Sequence, residues 1–551
     1  MVKYQRYYMR KVFISISILI FFSCSNNELV YWDNYDEESE ILANSNHEIS
    51  RMRYKRIQSK SIDKNKIFEP FYSFIKKYDT LRHNQIKSLI FNQDISSIQK
   101  SVLNKEISYE ELVKFFIYRI YKNELNKDLY LNSIISLNQN VINEARALDK
   151  SEEKPGLLTG IPILVKDNIN VKGLKTTAGA SAFENNLVNN DAFVIKNLKE
   201  HGVLILGKLN MSEWAYYFCR PCPVGYSSIG GQTLNPYGRK VFESGGSSSG
   251  SGVSIAANFA VASLGSETSG SILSPSSKNS LVGLKPTIGS ISRSGIVPIS
   301  SFFDTSGPMT TNVLDNAILY NQMIGYDEDD ALSYKANPIN IDEMQSFDAS
   351  NLRIGIFNRF IDDSLIKVAI TDLNKIGVQI KSFNPDTSNL PYFRNILSSD
   401  MKRDLPNYIS KYGNKELLVM NVNDIYEFNN IDTILYAPYN QLLFKEIIND
   451  TVSDENLVYM KQKTKSDAAD YLSELMLKFN FHVFISVDNS MAGIAAAAHY
   501  PALTIPMGYR KDGQPSNLTF ITSSKNEQLL YNIGYAYEKI SNRRLNPKNY
   551  K

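Results

Sequence analysis

The chain has 551 residues, 43% of them hydrophobic and 21% charged, with a formal net charge of +3. That balance belongs to a globular protein with ample apolar material for a large core. It offers no basic field of the kind that holds nucleic acid, so a nucleic-acid partner is not expected. Length alone would allow two to four domains.

Lys3, Arg6, Arg10 and Lys11 make a basic start, followed by an apolar and serine-containing run from Val12 to Phe22. Eleven helical residues span roughly 16 Å, too short for a bilayer core of about 30 Å, so the segment reads as a signal peptide. Ser23-Cys24 follows and resembles the lipobox of bacterial lipoproteins, with Phe22 where a small residue is usual. Residues 1–24 are therefore expected to be a lipoprotein-type signal, with lipidation at Cys24. Residues 25 to about 60 are polar, with acids from Asp33 to Glu40 and bases from Arg51 to Lys60. They read as a partly disordered tether, and 61–92 as a helical region.

From Asp94 the apolar spacing tightens to three and four. It predicts helices around Ile95 to Val102, over Tyr109 to Tyr121 and over Ile134 to Leu148. Ser108 with Glu111 forms a capping-box pattern for the second. Ile161–Val165 and Val203–Leu206 read as buried strands, with a helix over Ala192–Glu200 between them. A small-residue helix is expected within Val253–Val261. Arg353–Phe357, Ser364–Ile376 and Val378–Phe383 read as strand, helix, strand. Val483–Val487, Ala497–Ala502 and Leu503–Met507 suggest further core strands and helix. Alternation over this length, without a clear linker, predicts one α/β domain over 93–545, a mixed twisted sheet flanked by helices. Residues 546–551 read as a tail.

Cys219 and Cys222 are the only other cysteines. No second pair and no nearby histidine supports zinc, so no metal site is expected. A local disulfide and two packed thiols both fit the spacing. Two motif matches fail on inspection. Gly202 to Lys208 resembles a phosphate loop, but Leu209 stands where Ser or Thr should bind magnesium, and the interior is an apolar strand. Gly246 to Gly250 fits a nucleophile elbow centred on Ser248. The segment before it is poor strand material, and His482 and His499 are the only downstream histidines.

A third constellation can do chemistry without histidine. Lys166 ends an apolar strand, where partial desolvation lowers its pKa and makes a neutral amine available as a base. Ser247 and Ser271 lie in two glycine-rich segments, whose backbone N–H groups can approach a substrate closely. A serine nucleophile needs a base and oxyanion donors, and this set can provide both. Read from the residues alone, a solvent-tipped lysine and two turn serines are the favoured reading.

The chain from about Asp94 to Arg544, about four fifths of it, resembles the amidase signature family. The matching segments run in order through Gly160–Gly173, Thr176–Ala180, Leu204–Glu213, Gly230–Tyr237, Gly245–Ser251 and Gly265–Ile272. They continue through Leu281–Thr287, Ser294–Ile299, Asp304–Met309 and Ile505–Gly508. Gly230–Tyr237 is most similar to bacterial peptide-amidase-like members. The resemblance implies a Ser–cis-Ser–Lys triad of Ser271 as nucleophile, Ser247 as the cis-peptide serine and Lys166 as base. It further implies a cis bond between Gly246 and Ser247, an oxyanion hole from the N–H groups of Thr268, Ser269, Gly270 and Ser271, and substrate contacts at Gly246 and Ser248. No cofactor is implied. The expected reaction is hydrolysis of a linear carboxamide, such as a C-terminally amidated peptide, to an acid and ammonia or an amine. The expected place is outside the cytoplasm, on a membrane through Cys24, at the periplasmic or outer-membrane face. The rivals are the amidase component of a tRNA-dependent amidotransferase and a catalytically silent surface lipoprotein. Ser249, Glu267, Ser269 and Leu273 depart from the usual pattern, where glycine, aspartate, glycine and arginine are common.

Overall fold

The structure, a computed structural model, describes residues 27–384 and 390–551. The signal segment and Cys24 lie outside the described residues. Thirteen strands are present among them: β1 (Ile134–Leu137), β2 (Pro162–Lys166), β3 (Leu204–Leu209), β4 (Tyr226–Ser227), β5 (Gly231–Gln232), β6 (Ala262–Glu267), β7 (Val282–Lys285), β8 (Thr305–Thr310), β9 (Arg353–Phe357), β10 (Gln379–Phe383), β11 (Val483–Val487), β12 (Ala502–Tyr509) and β13 (Pro515–Ile521). Eleven form one mixed sheet in the order β1-β3-β2-β6-β8-β7-β12-β13-β11-β9-β10, and β4 and β5 make a separate hairpin. The expected α/β fold with a mixed, helix-flanked sheet is what the chain adopts.

The sheet explains why Lys166 ends where it does. β2 lies between β3 and β6 and runs parallel to both. Strands covered on both faces need continuous apolar runs, and every residue of β2 is buried. Lys166 is its last residue, and β6 ends beside it at Glu267. Ligand sites in such sheets gather at the carboxyl ends of parallel strands. The helix Ser249–Ala256 then packs against β6. Its small residues also let it approach the segments just outside β3 and β1: a Cβ on Gly250 would meet Asn210 O at 2.4 Å and Ser133 O at 2.7 Å.

Several elements differ from expectation. Ile134–Leu148 is not one helix. Ile134–Leu137 is strand β1, paired antiparallel with β3, and the helix runs only over Val141–Asp149. Ile134, Leu137, Val141 and Ala145 are all buried, so the inward spacing is real. A four-residue stretch satisfies helix and strand patterns alike, and the free edge of β3 decides between them. The small-residue helix runs over Ser249–Ala256, starting and ending earlier than expected, and β6 follows from Ala262.

The expected tether is instead packed against the body. Trp32, Met52, Tyr54 and Ile57 join the main core. Its charges find opposite partners: Glu40 pairs with Lys240 at 2.7 Å and Arg51 with Glu243 at 3.2 Å. The Glu37 carboxylate accepts from the N–H of Gln58 at 2.6 Å, and Gln232 N–H donates to Ile57 O at 2.8 Å. The C-terminal residues are no free tail either, since Tyr550 is buried and its hydroxyl donates to Leu129 O at 2.6 Å. Trp32 stacks edge-on against Tyr130, with Lys64 Nζ 4.1 Å from its ring centre. Trp32→Ala is therefore expected to destabilise the protein by about 3 kcal/mol, read as a lower denaturant midpoint. A true tether would show no change.

Among the described residues no helix is long and apolar enough to cross a membrane. Cys219 and Cys222 are joined in a disulfide.

Candidate active site

Lys166 is fully buried, and its Nζ makes three contacts: Ser247 Oγ at 2.8 Å, Ser266 Oγ at 2.9 Å and Ser266 O at 3.0 Å. Burial pulls its pKa down to about 7, while the carboxylates of Asp304 and Glu267 act in the opposite sense. Asn168 Nδ2 donates to Ser266 Oγ at 3.0 Å, which fixes the serine that faces the lysine. The peptide bond between Gly246 and Ser247 is cis, as the resemblance implies. Ser212 N–H donates to Ser247 O at 3.0 Å, and Ser248 N–H donates to Ser271 O at 3.2 Å. The two glycine-rich segments are thus joined through their backbones beside Lys166.

The turn before Ser271 is organised by Glu267. Its carboxylate accepts from the N–H groups of Gly270 at 2.6 Å, Ile272 at 2.6 Å and Leu273 at 2.9 Å. Burial pushes this carboxyl's pKa up, and those donors oppose the shift. Thr268 Oγ1 donates to Asp304 Oδ1 at 2.5 Å, and Asp304 Oδ2 accepts from Ile299 and Ser300 N–H at 2.8 and 3.0 Å. The Asp304 pKa is raised to about 6, chiefly by burial. Glu267→Ala would strand three buried donors, each costing about 1–3 kcal/mol. Allowing for water entering the gap, a loss of about 3 kcal/mol in unfolding free energy is expected. Retained stability would mean that the turn does not depend on this carboxylate.

Two expectations about the site change. Gly270 N–H already serves Glu267, so it is not free for an oxyanion, and Thr268, Ser269 and Ser271 remain the backbone candidates. Ser248 is fully buried, its hydroxyl donates to Ser266 O at 3.0 Å and it receives Ser266 N–H at 3.2 Å. It is a structural tie between the helix start and β6, not a substrate contact. Gly246 is only partly buried, and a Cβ there would strike Val224 Cγ1 at 2.5 Å and Ser212 Oγ at 2.7 Å.

The departures from the family pattern also have places. Ser249 and Leu273 are both buried. Leu273 packs in an apolar cluster with Met491, Ala492 and Phe484, so no cation stands at this point. Ser269 is half-buried.

Sequence reasoning missed Ser266, Asn168 and Glu267 as supports of the site. Asn168 lies two residues beyond Lys166, which was a usable signal. Ser266 carried none, because its facing of Lys166 depends on strand register.

The rejected motifs stay rejected. Lys208 lies on β3, buried, with its Nζ 3.4 Å from Asp167. His499 is buried against Phe302, ring centres 4.6 Å apart, and His482 bonds to Arg353. Among the described residues neither ring is hydrogen-bonded to Ser248, and no group of three or more His, Cys, Asp or Glu side chains is placed to hold a metal ion. A cavity of about 440 Å³ has Asp304, Phe302, Tyr408, Tyr412, Arg293 and Lys461 among its walls, and Asp304 links it to the turn through Thr268.

A lysine buried against a cis-peptide serine, at the head of a glycine-rich helix on a mixed sheet, defines a class of α/β protein. The comparisons place the chain within it. The family model described as Amidase matches residues 111–480, and the chain belongs to the amidase family. It is 31% identical over 479 residues to a probable amidase of Arabidopsis thaliana, covering 82% of this chain and 91% of that one. It is 29% identical over 488 residues to the A subunit of the glutamyl-tRNA(Gln) amidotransferase of Pediococcus pentosaceus, covering 81% and 96%. Among solved structures, an amidase family protein from Bacillus anthracis superposes with a TM-score of 0.85 at 32% identity, covering 90% of this chain and all of that one. The native peptide amidase from Stenotrophomonas maltophilia gives 0.78 at 29%, covering 83% and 98%.

Proposed function

We propose that the protein hydrolyses linear carboxamides through an acyl-enzyme on Ser271. The observation that carries this reading is the fully buried Lys166, with Nζ 2.8 Å from Ser247 Oγ. With its pKa near 7, a large share of Lys166 is neutral at neutral pH. A neutral amine has two N–H groups and one lone pair. The N–H groups can serve Ser266 O and Oγ, leaving the lone pair for the Ser247 hydroxyl proton. Ser247 then accepts the proton of Ser271, whose Oγ attacks the amide carbonyl. Backbone N–H groups of Thr268, Ser269 and Ser271 stabilise the oxyanion. As the C–N bond breaks, the relay returns a proton to the departing amine or ammonia. Water enters by the same relay, and the C–O bond to Ser271 breaks to release the acid.

The cavity beside Asp304 has aromatic walls, Phe302, Tyr408 and Tyr412, and charged ones, Arg293, Asp404 and Lys461, and suits an amide that carries both apolar and polar groups. A C-terminally amidated peptide fits that description. The likeness to the amidotransferase component supports a second reading, in which the released ammonia is passed to a partner's acceptor. Ammonia release from a panel of aliphatic, aromatic, fatty and peptide amides, with free glutamine included, separates the two. Preference for peptide or aryl amides supports the hydrolase. Turnover of glutamine alone supports the amidotransferase, and release from none overturns both.

The reading extends to a lipid-anchored protein outside the cytoplasm, on the basic start, the apolar run and Cys24. Metabolic fatty-acid labelling of the full chain should be lost in Cys24→Ser. Equal labelling of the two would remove the anchor from the account.

A further inference from the structure

The backbone of the turn before Ser271 is in contact with a polar side chain from a distant part of the chain. Gly270 has φ of +88°, and a Cβ built there would lie 2.8 Å from Asn489 Nδ2, 3.5 Å from Asn489 Cβ and 3.4 Å from Ala492 Cβ. The Asn489 carboxamide therefore rests on the residue that precedes the proposed nucleophile. Asn489 is exposed, and its side chain has no hydrogen-bond partner among the described residues.

The backbone that carries it is firmly set. Asp488 has φ of +49° and turns the chain toward Gly270. The Asp488 carboxylate accepts from Asn517 N–H at 2.8 Å, Ser516 Oγ at 2.9 Å and Lys278 Nζ at 3.2 Å. Asp488 O accepts the Thr519 hydroxyl, and Asn489 O accepts Ala492 N–H at 3.0 Å. These bonds fix the backbone from which the Asn489 side chain projects onto the turn. The same turn is short of one donor, because Gly270 N–H is held by Glu267 Oε1 at 2.6 Å.

We propose that Asn489 donates a side-chain N–H to the carbonyl oxygen of the bound amide, and to the oxyanion formed from it, in place of the Gly270 N–H. This rests on the acyl-enzyme reading above. A neutral donor aimed at developing negative charge acts mostly in the transition state, so its loss lowers kcat with little change in KM. Removing one such side-chain donor from a serine hydrolase costs on the order of 10²–10³ in rate.

The test needs no known substrate. The rate of Ser271 labelling by a fluorophosphonate is measured in the wild type, Asn489→Ala, Asn489→Asp and Ser490→Ala, because the P=O group of the probe occupies the same oxyanion position. Labelling in Asn489→Ala and Asn489→Asp is expected to fall at least about 50-fold. Ser490→Ala should match the wild type, and thermal midpoints should not move. Asn489→Asp keeps the shape and removes the donor, so a retained rate in that variant overturns the proposal. So does a rate within about threefold of wild type in Asn489→Ala while Ser271→Ala is unlabelled. Failure of the wild type to label at all overturns the underlying acyl-enzyme reading, and this inference with it.

Discussion

Ser271→Ala is expected to lower amide turnover on the order of 10⁵-fold or more, with no loss of stability. The size follows from the chemistry. In the proposed mechanism the nucleophile makes the only covalent bond to the acyl group, and neither neighbouring serine can take its place. Ser247 is bonded to Lys166 and sits behind the cis bond, while Ser248 is buried and tied to Ser266 at 3.0 Å. Stability should hold because the substitution removes a single hydroxyl and leaves the backbone bond from Ser248 N–H to the residue 271 carbonyl in place. Members of such a relay act as a unit, so Ser271→Ala combined with Lys166→Met should be no worse than Ser271→Ala alone. Ammonia release by the three proteins on the best amide of the panel checks this. Activity above about 1% of wild type in Ser271→Ala would remove Ser271 from the mechanism.

Lys166→Met is the second large effect, with kcat expected to fall on the order of 10⁴-fold and KM to move little. Met preserves much of the volume while removing the base. Because burial already pulls the lysine's pKa down to about 7, the substitution discards little ionic stabilisation. What it strands is Ser247 Oγ and the two acceptors of Ser266, at about 1–3 kcal/mol for each group left unsatisfied. The pH profile follows the same logic. The active form of Lys166 is neutral, and protonation removes its lone pair. Activity should therefore rise with pH through about 7, falling tenfold per unit well below that value. Asp304 pulls the lysine's pKa upward, so Asp304→Asn should move this limb to lower pH. A limb near pH 10 in the wild type, about where an exposed lysine titrates, would show that Lys166 is an ordinary ammonium and not the base.

Much of the fold was legible because several strands flanking the middle of the sheet are buried on both faces. β2, β3, β9 and β11 are short apolar runs that only a covered sheet accommodates, and they were readable as such. The three triad positions were readable only as a plausible set from their chemistry. Their assignment came with the resemblance, and the structure adds the proximity of Lys166 to Ser247. Local pattern failed where a partner decides the outcome. Ile134–Leu137 became a strand because β3 offered an edge, and the charges of residues 33–60 looked solvated because Lys240 and Glu243 lie far away in sequence. Glu267 read as a variant of the usual aspartate, whereas its role in holding three N–H groups depends on the turn's shape. Asn489 was invisible for the same reason. Some 218 positions separate it from Ser271, and nothing local marks it.

The central claim is that Ser271, activated through Ser247 by Lys166, is the nucleophile. Its most direct test is peptide mapping of the protein after fluorophosphonate treatment at about pH 8, above the pKa of the buried lysine. The account predicts a single adduct on Ser271, absent from Ser271→Ala and strongly slowed in Lys166→Met. An adduct on Ser248, or labelling of Ser271 that is indifferent to loss of Lys166, would contradict it.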